Sequence, residues 1–260
     1  MTPEQQTLYP TQPVAAAAPQ NFFSRLIGVF FSPGETFRDI GRAPTWLAPT
    51  LALILITGAM SYLTIQRIGY ENIIRKQFQS LIDKGMVPQD RAEEMIEQKL
   101  KDQSGGVVMS AVQGAAFFVV ALLIVAGLLK LISALMGADN TFKQVFSVTA
   151  WSFFVVGLVT SFASTIVLYL KPVEEIDMFN VIGSNLGAVL KMVMGDDALP
   201  KYVYGLLGYV DLFYIWRIAL LSIGLAAVTA KLKTGTAAWW IGGLFFFFAL
   251  LGALASTFFG

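Results

Sequence analysis

Residues 145–170 of the chain read VFSVTAWSFFVVGLVTSFASTIVLYL, and none of these 26 side chains is charged. An α-helix rises about 1.5 Å per residue, so a helix of this length exceeds the roughly 30 Å thickness of a bilayer's hydrocarbon core. The run therefore predicts a membrane-spanning helix, and the sequence on either side of it decides the rest of the fold.

Four further stretches have similar length and hydrophobicity: residues 46–65, 107–135, 212–230 and 237–258, each with at most one charged residue. Over the whole chain 56 % of residues are hydrophobic and 13 % are charged, whereas about a quarter are charged in soluble domains. The sequence thus predicts an all-α polytopic membrane protein with a five-transmembrane-helix bundle. An odd number of spans would place the two termini on opposite sides of the membrane.

The composition also excludes most familiar chemistry. The 18 Lys and Arg residues nearly balance the 17 Asp and Glu residues, and a net charge of +1 leaves no basic surface for a nucleic acid. Cys and His are both absent from the sequence, which removes thiol nucleophiles, Ser/His/Asp triads and the common zinc, iron–sulfur and haem ligands. We therefore expect no catalytic residue, no metal site and no cofactor, and we expect that the protein is not an enzyme.

Before the first span, residues 1–20 are rich in proline and predict a disordered tail, whereas residues 21–45 predict two short helices. The second helix should cover residues 33–41, because Ser32 and Glu35 have the spacing of a capping box. The first is too short to span a bilayer, and its aromatic face suits either the headgroup boundary, as an in-plane amphipathic anchor, or packing on the bundle. The candidate anchor residues are Phe22, Phe23, Leu26, Ile27, Phe30 and Phe31.

The connections between the predicted spans differ in length and charge. Residues 67–106 carry seven basic and seven acidic side chains and predict an extramembrane helical hairpin. Residues 171–201 carry three basic and five acidic side chains, with a short helix expected over 184–194. The two long loops should share one face, and the short connections 136–144 and 231–236 should share the other with the N-terminus. The charges favour a cytoplasmic N-terminus.

Asp211, Trp216 and Arg217 are the candidate contact residues for a partner or a lipid, because charged side chains inside a span are usually functional. Two interpretations stay open. If the fourth span starts at residue 212, Asp211 is its N-cap and Arg217 lies about 8 Å inside, shallow enough to reach the interface. Alternatively, Arg217 binds an anionic headgroup or a partner's carboxylate. Trp216 fits an aromatic belt at the interface.

Small residues recur every four positions in two of the predicted spans, a spacing that permits close contact between helices. The candidate helix-packing residues are Gly157, Ser161, Thr165, Ser222 and Ala226. Isolated Ser and Thr hydroxyls in the spans should bond carbonyls of their own helix. No predicted span reads as two broken halves around a polar cluster, so the pattern of an ion-coupled transporter is missing.

Three blocks of sequence resemble a known family. They are FFSPGETFRDI at residues 30–40, followed by Pro-Thr-Trp at 44–46; TFKQVFSVTA at 141–150; and VDLFYIWRIALLSIG at 210–224. In order and spacing they are similar to the Yip/Yif domain family of Ypt/Rab-interacting integral membrane proteins, in its bacterial branch. The resemblance covers about residues 25–235.

The resemblance implies a five-span membrane domain with a cytoplasmic N-terminus and a role in partner binding or assembly. Eukaryotic relatives associate with Rab-type GTPases, so a GTPase partner is expected only if the source is eukaryotic. We expect a non-enzymatic protein of the bacterial inner membrane that binds lipid or other membrane proteins, including a second copy of itself. The alternative is a small transporter or a lipid-translocating protein.

Overall fold

A computed structural model describes residues 18–83, 85–177, 180–195 and 200–258, and over these ranges the chain is helical without any named strand. The predicted disordered tail lies almost entirely outside the described residues. The helices are α1 (Phe22–Phe31), α2 (Pro33–Arg42), α3 (Leu47–Ile68), α4 (Tyr70–Asp83), α5 (Gln89–Lys101), α6 (Gln103–Leu135), α7 (Phe142–Leu170), α8 (Leu186–Met194), α9 (Lys201–Leu207), α10 (Leu212–Ala227) and α11 (Thr234–Phe258).

The all-α polytopic fold is confirmed, and α3, α6, α7 and α11 are the helices of the described chain long and apolar enough to cross a bilayer. The fourth predicted span, residues 212–230, differs. It forms α10, which has 16 residues and ends at Ala227. At about 1.5 Å per residue α10 is about 24 Å long, shorter than the hydrocarbon core.

Helix α7 is the centre of the bundle and packs against α3, α6, α10 and the N-terminal helices. Its first half is buried on nearly every side, which explains why this stretch combines apolar residues with small hydroxyl side chains. Those hydroxyls bond carbonyls of their own helix, as expected; Thr149 Oγ1 donates to Val145 O at 2.9 Å. The hydroxyl of Ser152 is a buried exception without a hydrogen-bond partner.

The two N-terminal helices pack on the bundle, α1 against α7 and α2 against α7 and α10. The six candidate anchor residues divide between two faces of α1. Phe22, Leu26 and Phe30 pack against the core formed around α7. The other three, Phe23, Ile27 and Phe31, are 71 %, 59 % and 83 % exposed, so α1 is held by one apolar face and presents another outward.

The predicted capping box at Ser32 is wrong, although α2 does begin at the proline that follows. The Ser32 side chain makes no capping hydrogen bond, and the same residue closes α1 through its N–H, which donates to Gly28 O at 2.7 Å. The Ser32 carbonyl instead accepts hydrogen bonds from the backbone and side chain of Thr36. One residue thus ends one helix and starts the next, which fixes a tight corner between them.

A buried ion pair holds this corner to the bundle. Arg25 Nη2 lies 2.7 Å from Asp39 Oδ2, with the two side chains only 3 % and 14 % exposed. Arg25 Nη1 also donates to the carbonyl of Ala43 and the hydroxyl of Thr45. The indole N–H of Trp151 in α7 donates to the Thr45 carbonyl at 2.9 Å. The network therefore connects α1, α2, the start of α3 and α7.

The bundle has two ends. At the α2 end, Gln144 Nε2 donates to Gly41 O at 2.9 Å and Asn140 Nδ2 donates to Thr229 Oγ1 at 2.8 Å. At the α8 end, Arg67 Nε donates to Leu168 O at 3.3 Å. The short connections therefore share the α2 end with the N-terminal helices, as predicted. The loop 67–106 forms the expected hairpin, α4 and α5, with a small apolar core of its own.

Candidate functional site

A cavity of about 1330 Å³ lies towards the α8 end, between α7, α8, α9 and the start of α10. Its lining combines apolar side chains with hydroxyl, amide, amino, carboxylate and guanidinium groups, and it brings together residues from distant parts of the sequence. Its charged residues are Lys171, Asp177, Lys191, Asp211 and Arg217. Of the three predicted contact residues, the cavity thus unites Asp211 and Arg217.

Asp211 occupies the N-cap position of α10. Its Oδ1 accepts hydrogen bonds from the N–H groups of Phe213 and Tyr214, at 2.8 and 3.1 Å. Its Oδ2 accepts the hydroxyl of Ser184, which precedes α8. Both carboxylate oxygens are therefore engaged in holding α10 and the preceding loop, as an N-cap requires.

Arg217 is placed one and a half turns further along α10. Its guanidinium carbon lies 4.5 Å from the centre of the Phe153 ring and 5.3 Å from that of Tyr214. Its Nε is buried without a hydrogen-bond partner, and no carboxylate of the described residues lies within ion-pair distance of the guanidinium. The aromatic faces attract the cation but leave its N–H donors unused.

The start of α8 contributes a further positive element. Asn185 caps α8, its side chain accepting the N–H of Ala188 at 2.8 Å, and the first turn of α8 lines the cavity. The positive end of the α8 dipole therefore faces the same space as Arg217. Lys171 and Lys191 line the cavity as well, with the Lys191 ammonium 5.2 Å from the centre of the Tyr204 ring.

Trp216 lies outside this arrangement. Its ring is 5.6 Å from that of Phe30, so the side chain packs against α1 on another side of α10 from the cavity. The contact is within the protein, and Trp216 is half-buried there. The structure therefore separates Trp216 from the two charged residues with which the sequence grouped it.

The predicted helix-packing residues lie mainly between α7 and its neighbours. A Cβ added at Gly157 would come within 2.5 Å of Leu53 in α3, and Thr165 Oγ1 is 3.2 Å from Met60 Sδ. Ser161 O accepts the Thr165 hydroxyl at 2.8 Å, while Ala226 is half-buried. Ser222 is buried in α10, and its hydroxyl donates to the carbonyl of its own helix four residues earlier.

Sequence reasoning missed two features that the structure makes prominent. Gly224 marks a close approach of α10 to α7, since a Cβ there would collide with Val148. It falls between the predicted packing positions, and the four-residue spacing gave no reason to select it. Lys171 and Lys191 were missed as cavity residues because they belong to a loop whose fold-back has no local sequence signal.

Within the described ranges no group of three acidic, Cys or His residues is placed to hold a metal ion. The cavity combines the guanidinium of Arg217 and the amines of Lys171 and Lys191 with apolar side chains and with the carboxylates of Asp177 and Asp211. Of these charged groups, the Arg217 guanidinium has no contacting carboxylate among the described residues, and it suits an anionic group.

The fold defines a class, the helical multi-pass membrane proteins, and the site adds a cationic cavity among the helices. A family model, the Yip1 domain, matches residues 27–256, and the chain belongs to the Yip1 domain family. The three sequence blocks described above lie within or across this range. No curated protein and no solved structure matches the chain.

Proposed function

We propose that the protein acts without catalysis, by holding the anionic headgroup of a membrane lipid at Arg217. The observation that carries the proposal is the state of the Arg217 side chain. Its Nε is buried without a hydrogen-bond partner, and its charge lacks a contacting carboxylate among the described residues. Burying a cation in this way is costly unless an anion compensates it.

Asp211 attracts the Arg217 cation only from a distance. It forms no ion pair with the guanidinium, and its oxygens accept the two N–H groups of α10 and the Ser184 hydroxyl. An external phosphate could accept the free Arg217 donors, since the guanidinium fork matches a phosphate in geometry and charge. The first turn of α8 and Lys171 lie on the same cavity and favour a negative group. The site therefore suits a lipid phosphate more than a neutral solute.

The biological role that fits such a site is a membrane component that binds lipid and thereby influences assembly, trafficking or envelope homeostasis. Binding of other membrane proteins, including a second copy, fits the family as well. We place the protein in the bacterial inner membrane with a cytoplasmic N-terminus, and we assign it no Rab-type GTPase partner.

The proposal is tested by lipid binding to purified protein in detergent. Phosphatidylglycerol and phosphatidylcholine are titrated separately, and bound lipid is counted by native mass spectrometry. We expect a preference for phosphatidylglycerol that Arg217→Gln weakens by roughly 10- to 100-fold, the equivalent of a charge-assisted hydrogen bond of about 1.5 to 3 kcal/mol. Arg38→Gln removes an exposed cation far from the cavity and should leave binding unchanged.

Two results would contradict the proposal: equal binding of both lipids by the natural protein, or equal phosphatidylglycerol affinity in the two variants. A parallel titration with inorganic phosphate separates a lipid site from a site for the free anion. If phosphate alone displaces phosphatidylglycerol at low concentration, the acyl chains contribute little and a free anion is the ligand.

Lipid translocation is the second candidate. A smaller cavity of about 190 Å³ lies at the α2 end, beside Asn140 and Thr229, so polar space exists at both ends of the bundle. Translocation would use Arg217 as a transient headgroup contact. Vesicles of fluorescent phosphatidylglycerol test it, because the natural protein should then speed exchange between leaflets and Arg217→Gln should not.

A further inference from the structure

Contacts between α3 and α7 mark one level near each end of the bundle, and the distance between these two levels can be compared with the thickness of a bilayer. The two helices run in the same direction. The ring of Trp46 lies 5.3 Å from that of Phe146 at the α2 end, and Arg67 Nε donates to Leu168 O at the α8 end. Trp46 and Arg67 are 21 positions apart in the sequence, which corresponds to about 31 Å of helix and matches the hydrocarbon core of a bilayer.

Helix α10 runs in the opposite direction, and its contacts fix its level against α7. Gly224 lies against Val148, and Arg217 lies over Phe153. Asp211 lies 13 positions before Gly224, and the two helices are antiparallel, so Asp211 is level with about residue 161 of α7. That level lies about 10 Å inside the bundle from the level of Leu168. By the same count, the Arg217 backbone is about 20 Å from the Leu168 level, far more than the 8 Å expected from the sequence.

The chain before α10 fills the space between the start of α10 and the level of Leu168. Leu186 N donates to Val210 O at 2.9 Å, so α8 starts where α10 starts. A Cβ at Gly187 would lie 2.8 Å from Tyr204 O, which packs α8 tightly on α9. The Tyr209 hydroxyl lies against Gly252, inside the length of α11. The nine residues of α8 are about 13 Å long, close to the distance of about 10 Å between the start of α10 and the level of Leu168.

The outer face of α8 is apolar and uncovered by the described protein. Val189, Met192 and Val193 are 43 %, 81 % and 73 % exposed. Lys191, the one charged residue of α8, lines the cavity and lies over the Tyr204 ring. The helix therefore has an apolar outer face, and its one charged side chain is exposed on the side of the cavity and not among those apolar residues. A helix that lies in water has polar side chains on its outer face instead.

We propose that α8 and α9 form a re-entrant hairpin that inserts into the bilayer from the α8 end, with its outer face against lipid acyl chains. Together with α10 it completes a crossing that α10 alone is too short to make. Non-helical backbone is tolerated at membrane depth where it lines a protein cavity, as the stretch before Leu186 does here. The cavity with Arg217 then lies below the headgroup region and is reached sideways, from the lipid. The hairpin proposal stands independently of what Arg217 binds.

The natural chain contains no cysteine, so single cysteines can be placed without any background. We would label Met192→Cys and Val193→Cys with bimane and reconstitute the protein into phosphatidylcholine vesicles. Fluorescence quenching by brominated acyl chains is compared with quenching by aqueous iodide. Leu55→Cys, exposed in the middle of α3, is the lipid control, and Met86→Cys, exposed between α4 and α5, is the water control.

The expected result is that both α8 labels behave like the Leu55→Cys label, with several-fold stronger quenching by bromolipid than the Met86→Cys label and little by iodide. Iodide quenching as strong as that of the Met86→Cys label would place α8 in water and overturn the proposal. Shielding from both quenchers would mean that protein, such as a second copy, covers α8, and would also overturn it. These outcomes leave the lipid-binding test of Arg217 unaffected.

Discussion

The ion pair between Arg25 and Asp39 should decide how firmly α1 is held on the bundle, and Asp39→Asn is the change that probes it. The substitution keeps the size and shape of the side chain but removes its charge. Arg25 retains hydrogen bonds to the Ala43 carbonyl and the Thr45 hydroxyl. The Arg25 side chain is 3 % exposed, so water cannot stabilise the guanidinium in place of the lost negative charge.

Breaking a buried ion pair by removing one partner typically costs about 3 to 5 kcal/mol. The surviving bonds from Arg25 place the expected loss at the lower limit, about 3 kcal/mol. If α1 opens locally, its backbone N–H groups should exchange with deuterium about 100-fold faster than in the natural protein, since every 1.4 kcal/mol is a factor of ten. Hydrogen exchange followed by mass spectrometry, on peptides covering residues 21–31, measures this directly.

Glu71→Gln is the matched control, because Arg75 and Glu71 form an ion pair at the similar distance of 2.8 Å but with side chains 49 % and 59 % exposed. Exposed pairs contribute little, so this variant should exchange like the natural protein. Unchanged α1 exchange in Asp39→Asn would show that the ion pair does not hold α1 on the bundle. An equal acceleration in the α4 peptide of Glu71→Gln would contradict the prediction as well, because burial would then not be what makes the first pair matter.

Two further predictions concern packing, and both are measured by unfolding in mixed micelles with increasing SDS, followed by far-UV circular dichroism. Gly224→Ala adds a Cβ against Val148 and should destabilise the bundle by about 1 to 3 kcal/mol. Gly242→Ala adds one with no atom within 4 Å and should be neutral or slightly stabilising, so equal losses in the two would contradict the close contact. Asn140→Ala removes the hydrogen bonds that this buried side chain makes to Thr229, Ser133 and Lys130, and it should cost about 1 to 3 kcal/mol. An unchanged midpoint would show that these bonds are dispensable.

The sequence was sufficient for the long helices, because an uncharged run longer than the bilayer core has few alternatives to a span. It was also sufficient for Asp211 as a cap, since an acidic residue directly before an apolar run is a local signal. It did not reveal the pair of Arg25 and Asp39. These residues lie on two helices, and the corner at Ser32 brings them together through a backbone geometry that residue spacing does not encode.

The cavity was unpredictable for a related reason. Lys171 and Lys191 belong to a long loop, and their position beside Arg217 depends on the loop folding back towards the start of α10. Hydropathy measures how apolar a segment is, but it does not give the depth within the bundle at which the segment begins. A helix that starts about 10 Å inside the bundle and one that starts at its surface therefore look alike in sequence.

The short length of α10 and the charge on Arg217 are best understood together. In a continuous span, an arginine at this level would face either lipid or a packed core, and both environments penalise an unpaired cation. Because α10 begins below the α8 end, the space above Arg217 is filled by a hairpin and a polar cavity. Because α10 begins inside the bundle, a cavity forms beside Arg217, and the charge of Arg217 makes this cavity favour anions. The short length of α10 provides the cavity that the charge of Arg217 requires. The experiments on α8 and on Arg217 therefore test two related features of the same region by separate measurements.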